Sequence, residues 1–443
     1  MRGIVKCVAI MALCWASAGC RPSAYRNVPQ PDQLEQVDLQ YYWQYAIKPR
    51  SGEKLRWIAL LDENLYCMST QNRLTAVDAA TGVRKWTYAG IDPTDTVFEP
   101  PAHVGDMRLP REIQGVTAMM GWDPLPKIDP EKLKDVKLSE IVDSDSTASD
   151  DAIEAGESKV EPFDAVILNT NYYVVVLDRA TGTERRKIAF SSPGTTPGAT
   201  FSANTAGCSD GRYFYTGATG GRYHAIALDE AVHAWSLSTD DMITAPLAYH
   251  NSRLFVASED HHLYSAEVGR QGKRVWRQKL DGSVIGQIYA DARGCFVPCQ
   301  DNRLYAFDAM AGTTLWDPYV CVGPLSLGVQ VGEDTIFQYA DRDGMYAINV
   351  ANGRKRWHTP SNLPCHVVAV VNGMVYVAHG QAGQLQIVDE LLGKIKHTLD
   401  LGSGVMFARN ALMPAVYMAT VDGRIFCVRL RSAGRLTEQM LRG

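Results

Sequence analysis

A few groups of residues have the types and spacing that chemistry would need. Asp240-Asp241 and Asp341/Asp343 pair carboxylates, His261-His262 pairs imidazoles, Cys295 and Cys299 pair thiols, and Cys20 follows Ser17-Ala18-Gly19. Paired carboxylates suit acid–base work, and paired imidazoles or thiols suit a metal. None of these pairs is completed by its surroundings. His261-His262 falls at a hairpin tip, where a metal would need outside ligands, so a solvated turn is the reading. Cys295 and Cys299 fall four apart on one strand, about 13 Å from each other, too far for a disulfide. No further ligands are spaced like a zinc site. Asp240-Asp241 and Asp341/Asp343 lie near connections, where turn-forming Asp is ordinary. No Gly-rich phosphate loop, Gly-x-Ser-x-Gly elbow or His-Glu-x-x-His helix appears. The reading therefore assigns no catalytic, cofactor-binding or metal-binding residue.

Cys20 is the exception, because its chemistry is set by what precedes it. Arg2 and Lys6 lead an apolar run, Val8 to Ala18, too short for a permanent membrane span. The run ends in a phrase that resembles a bacterial lipobox. That resemblance implies cleavage after a 1–19 signal peptide and acylation of Cys20. Ser17 stands where Leu is usual, and Ala16-Ser17-Ala18 would serve an ordinary signal peptidase, leaving a soluble secreted or periplasmic protein. Several acyl chains would hold the chain on a membrane surface, with 20–38 as a polar tether. Arg21, rather than Asp, points to the outer membrane. With Cys7, Cys14 and Cys20 in the leader, seven cysteines remain, an odd number that leaves at least one thiol unpaired.

The elements that must position these residues are repeated. Trp235, Trp276, Trp316 and Trp357 lie at steps of 41, 40 and 41 residues. Such a period marks a fold in which each unit is a small antiparallel sheet. Leu304-Tyr-Ala-Phe-Asp308 runs through Gly312 to Trp316, Met345 to Asn349 runs through Gly353 to Trp357, and Leu74 to Asp78 runs through Gly82 to Trp86. Arg186 and His397 take the Trp slot in two further copies, while Asp229 reaches Trp235 early and lacks the Gly. Alternation of period two gives a strand with one packed face. Asp starts a tight turn, and Gly supplies the positive φ that ends it. Trp on the outer strand buries its ring between neighbouring sheets while its N–H finds an acceptor. Seven Trp slots follow from 86 to 397, and an eighth half-repeat, Val405 to Leu430, ends without its outer strand. Leu39 to Ile47 resembles that strand, with Trp43 lying 43 residues before Trp86. The fold class expected is all-β, an eight-bladed β-propeller of four-stranded antiparallel blades, closed by the N-terminal strand.

The repeat is interrupted once, at 91–160. Pro93, Pro100, Pro101, Pro110, Pro124, Pro126 and Pro130 argue against regular strands through most of it, although Val116 to Met120 fits the innermost strand of that blade. Residues 129–161 carry 11 acidic and 4 basic side chains, a net −7, and read as disordered. A solvated loop and a docking arm for a basic partner are the two readings. The 443 residues include 37 Gly and 46% apolar residues, enough for a large core. Net charge is −5, so nothing invites nucleic acid. The expected domain is the propeller at 39–430, with a tail at 431–443.

The Leu-Tyr-Ala-Phe-Asp-(x3)-Gly-(x3)-Trp phrase resembles the repeat of the pyrroloquinoline-quinone-type β-propellers. Within these the chain is most similar to the BamB-type lipoproteins of the outer-membrane β-barrel assembly machinery, over roughly 39–430. The resemblance implies a non-enzymatic, periplasm-facing scaffold on the outer membrane, anchored through Cys20, whose partners are envelope proteins of β-barrel assembly. In that family acidic and Leu/Arg loop residues meet the partner, and no Leu/Arg loop is matched in this sequence. Asp240 and Asp241, in Asp241-(x2)-Thr244-Ala-Pro246, partly match that run and are the candidate partner-binding residues. Two other classes compete. A quinone-dependent dehydrogenase would carry an adjacent Cys-Cys pair, and this chain has none. A carbohydrate-binding or sensor propeller would expose aromatic residues at blade tops.

Overall fold

The computed structural model describes residues 29–105, 164–190, 201–269, 271–380, 382–434 and 436. The described strands form eight four-stranded antiparallel sheets. The first blade holds β2 (Leu55–Leu61), β3 (Asn64–Ser69), β4 (Leu74–Asp78) and β5 (Arg84–Tyr88), innermost to outermost. The second holds β6 (Ala102–Val104), β7 (Ala165–Asn169), β8 (Tyr173–Asp178) and β9 (Glu184–Ala189). The third, β10 (Cys208–Ser209) to β13 (Val232–Ser238), and the fourth, β14 (Ala248–His250) to β17 (Lys273–Lys279), repeat the order. So do the fifth, β18 (Tyr289–Asp291) to β21 (Tyr319–Val320), and the sixth, β22 (Gln330–Val331) to β25 (Lys355–Pro360). The seventh runs from β26 (His366–Val371) to β29 (Ile395–Asp400).

The eighth blade is made from both ends of the chain. Its inner strands are β30 (Val405–Phe407), β31 (Val416–Thr420) and β32 (Arg424–Leu430), and its outer strand is β1 (Leu39–Ala46). Register runs from Leu39 opposite Leu430 to Ala46 opposite Arg424. The expected eight blades and N-terminal closure are therefore present. One expectation is corrected. The innermost strand of the second blade is Ala102–Val104, not Val116 to Met120, which lies outside the described residues. Proline-free Ala102-His-Val104 follows the Pro100-Pro101 pair directly, and that short run suffices for a three-residue inner strand. The acidic stretch 129–161 also lies outside the described residues.

The core sits between blades rather than within one. Tyr42, Trp43, Ile58, Leu65, Cys67, Tyr417 and Cys427, from the eighth and first blades, form one such cluster. Within it, each Trp of the ladder spans to the next blade. The indole N–H of Trp43 donates to the Ala79 carbonyl at 3.0 Å, and that of Trp86 to Arg179 at 2.9 Å. Trp235 reaches Gly269 at 2.9 Å, Trp276 reaches Met310 at 3.2 Å, Trp316 reaches Val350 at 3.1 Å, and Trp357 reaches Glu390 at 2.7 Å. Each acceptor belongs to the turn before the next blade's outer strand. Except at Gly269, whose turn begins at Glu267, that turn is wound by its Asp or Asn: Asp78 Oδ1 accepts the Ala80 and Thr81 N–H groups at 3.1 and 2.9 Å.

The repeated glycine serves the same contact. A Cβ on Gly82 would lie 2.6 Å from the Trp43 ring, and one on Gly312 would lie 2.7 Å from Trp276. Sequence reasoning assigned this Gly to positive φ alone, and φ is indeed +73° and +74° at these two positions. The stacked indole is the second reason for it. The third blade makes the point by exception. Its preceding blade offers exposed Arg186 instead of Trp, and its turn carries Ala231 at φ 57° with no Gly. With no ring to receive, a Cβ is tolerated.

Candidate partner-binding face

Strands in each blade alternate in direction, so turns between second and third strands share one face with the loops linking successive blades. Asp240 and Asp241 lie on that face, in the loop from β13 to β14. Neighbouring backbone pins the loop on several sides. The Asp241 carbonyl accepts the Thr239 hydroxyl at 2.6 Å and the Ser258 hydroxyl at 2.9 Å. The Met242 carbonyl accepts the Glu259 N–H at 2.8 Å. The Asp240 N–H donates to the Asp260 carboxylate at 3.0 Å. Gly221, at φ +72°, permits this approach, because a Cβ there would meet the Asp241 carbonyl oxygen at 2.4 Å.

Asp260 is used up internally, accepting the Tyr264 hydroxyl at 2.6 Å and the His262 N–H at 2.9 Å. Burial, with that bond to Asp260, pushes the Tyr264 phenol up to about 12. Arg274 lies against the Tyr264 ring at 4.7 Å and donates to the Ser238 carbonyl. By contrast Asp240, Asp241 and Met242 point outward, and Met242 is 44% exposed. Neither carboxylate has an ion-pair partner among the described residues. The loop is thus a fixed prong bearing two unpaired negative charges and one apolar side chain. Such a prong suits recognition of a basic surface, and it presents no nucleophile paired to a base.

The other sequence-nominated residues are placed as follows. His261 occupies the tip of the β15–β16 turn at φ 63°, exposed, while His262 folds back with Nδ1 2.9 Å from the Asp260 carbonyl oxygen. Cys295 and Cys299 are buried and unbridged in the core between the fourth and fifth blades. Asp341 and Asp343 sit in the β23–β24 turn, where Asp341 accepts the Ser326 hydroxyl and Asp343 that of Tyr346. Among the described residues no group of three His, Cys, Asp or Glu side chains is arranged to hold a metal. Cys20 lies outside the described residues.

Two features escaped sequence reasoning. Arg179 is 1% exposed and pairs with Asp62 at 3.0 Å, with Asp164 at 3.3 Å and with Glu63. His103 bridges Asp62 at 2.9 Å and the Tyr66 hydroxyl at 2.8 Å. Because Gly105 and Asp164 flank the interruption, this network ties both of its roots to the first blade. The available signal was the tandem Asp62-Glu63 in a hairpin turn opposite an Arg directly after a turn-forming Asp. The second feature lies along the innermost strands. Arg56 stands on β2, Glu99 just before β6 and Arg409 just after β30. Burial raises the Glu99 carboxyl and lowers the Arg409 guanidinium, although both meet solvent. Side chains in the wet, walled centre of a ring behave so.

Comparison with known proteins bears on what this face serves. A curated outer membrane protein assembly factor BamB from Yersinia pestis is 25% identical over 189 residues, covering 38% of this chain and 48% of the relative. The chain thus spans about half the length of that relative. The crystal structure of BamB from Moraxella catarrhalis aligns with a TM-score of 0.58 at 13% identity, over 88% of this chain and 97% of that one. The computationally designed Ika8 protein aligns similarly, with a TM-score of 0.57 at 11% identity, over 86% and 98%. At such identities the two structures speak for the fold alone. The family described as outer membrane protein assembly factor BamB matches residues 170–290, 224–325 and 300–442, more than half of the chain, and the chain belongs to that family.

Proposed function

We propose that the protein is a non-enzymatic scaffold lipoprotein of the bacterial outer membrane, facing the periplasm and serving outer-membrane protein assembly. The pinned loop carrying unpaired Asp240 and Asp241 is the observation that carries the reading. Its geometry supports capture of a basic surface on an envelope partner, and family membership supports the β-barrel assembly machinery as the source of that partner. In this reading residues 1–19 are a signal peptide, Cys20 carries the lipid, 20–38 is the tether and 39–430 is the working propeller. The repeated aromatic and Gly positions are taken up by blade-to-blade packing, which leaves function to the loops.

The test is capture from native envelopes by the purified mature chain, with and without Asp240→Lys and Asp241→Lys. Recovery of barrel-assembly components, lost in the double variant, is the expected result. Equal recovery by both forms would remove the loop from the account, and no recovery by either would remove the scaffold reading.

A further inference from the structure

The seam where the ring closes carries a second surface. A groove of about 570 Å³ lies between the end of β1 and the outer half of the first blade. Tyr45, Ile47 and Lys48 line it from one side, and Arg73, Val83 and Arg84 from the other. Thr75 and Thr87, whose hydroxyls are 3.2 Å apart, also line it, as does Ala46. Three cations and no carboxylate face it. Arg73 is held by the buried Glu53 at 2.6 Å, but Lys48 and Arg84 are exposed and have no ion pair among the described residues. In a chain of net charge −5, such a carboxylate-free groove is a local concentration of positive charge.

Its form also selects an occupant. β1 and β5 are the outermost strands of their blades, so each keeps one edge outside its sheet, and on β1 the Leu436 N–H takes up the Tyr42 carbonyl at 3.3 Å but not the end of the strand at the groove. Tyr45 and Ile47 alternate along β1 and its continuation, offering apolar contact at every second residue. Extended peptides dock on such edges, with alternate side chains entering the groove. We propose that this seam binds an extended acidic peptide segment of a partner protein, its carboxylates meeting Lys48, Arg73 and Arg84. The site is separate from the Asp240–Asp241 loop, which has the opposite charge, so the two surfaces would engage different partner segments.

The experiment is fluorescence anisotropy on the complete mature chain with two labelled octapeptides, one alternating Glu and Val, the other alternating Lys and Val. The Glu peptide is expected to bind and the Lys peptide not to, with affinity falling as salt rises. Lys48→Glu combined with Arg84→Glu should weaken binding at least tenfold without changing the circular dichroism melt, whereas Lys355→Glu, on the exposed outer strand of the sixth blade, should not weaken it. Equal binding of both peptides, or undiminished binding by the reversed groove, would overturn the proposal. So would binding to anionic lipid vesicles in place of the peptide. Binding only after deletion of 130–160 would overturn it too, by making the chain's own acidic stretch the occupant.

Discussion

Gly393→Ala isolates the contact that sets the blade spacing. Gly393 lies in the turn before β29 at φ +66°, and an added Cβ would fall 2.4 Å from the Trp357 Cβ and 2.6 Å from its Cγ. The backbone conformation alone costs an alanine about 1 kcal/mol. Forcing a methyl into a filled contact costs about 1–3 kcal/mol more. If the indole retreats, its 2.7 Å bond to the Glu390 carbonyl is lost as well, at about 1 kcal/mol. The expected total is about 3–5 kcal/mol, measured by urea unfolding followed by circular dichroism. A double-mutant cycle with Trp357→Gly, which removes the Cβ and Cγ together with the indole, separates the terms, because without that side chain only the backbone cost of about 1 kcal/mol remains. Ala231→Gly is the natural control. That turn receives no indole and already holds a Cβ at φ 57°, so glycine there should be neutral or stabilising by up to about 1 kcal/mol. A Gly393→Ala cost of about 1 kcal/mol in both backgrounds would refute the docking argument.

Other outcomes follow from the same geometry. Deleting residues 29–46 should expose the β32 edge and remove the Trp43 indole from the seam, giving a chain that aggregates and lacks a cooperative melt. Arg179→Met should cost about 3–5 kcal/mol at pH 7 by leaving Asp62, Glu63 and Asp164 clustered with only the more distant Lys85, 3.7 Å from Glu63, as a cation. Burial would raise the Glu63 carboxyl, but the bond and charge of Arg179, a backbone hydrogen bond and the Lys85 charge together outweigh it and hold the carboxyl below the usual range. The stability this gives is present above the unfolded carboxyl pKa and lost as pH falls, so the Arg179→Met penalty should shrink on acidification. His224, stacked on Phe201 and 2.9 Å from His233, is held down to about 3 by burial, then by His233 and Arg222. Between that value and 6.5 the unfolded chain binds the extra proton, so stability falls with falling pH. His224→Gln should flatten that slope by up to about 1.4 kcal/mol per pH unit.

The ring was legible because its determinants are local and periodic. Asp78 winds its turn through hydrogen bonds within three residues, and Trp86, Arg186 and His397 each keep the slot that the repeat predicts. Arg186 and His397 even retain the register shift on the partner strand found beside Trp86, although neither docks as an indole does. What stayed hidden depends on neighbours distant in sequence. Gly82 answers to Trp43, Arg179 to Asp62 and Glu63, and the seam groove to β1 from the eighth blade and the outer half of the first blade. Asp240 and Asp241 are nominated by a partial match to a family's acidic run, but only the fold shows that one neighbouring carboxylate, Asp260, is consumed while these two remain outward. Period alone carries no information on which charges are left over.

The most direct test of the account places a photo-crosslinking residue at Asp241 in cells, with a second at Lys355 on the exposed outer strand of the sixth blade as reference. Illumination should join the Asp241 position to a component of the β-barrel assembly machinery and leave the Lys355 position unjoined. Capture of no assembly component, or equal capture from both positions, would contradict the claim that this loop is the partner-binding face.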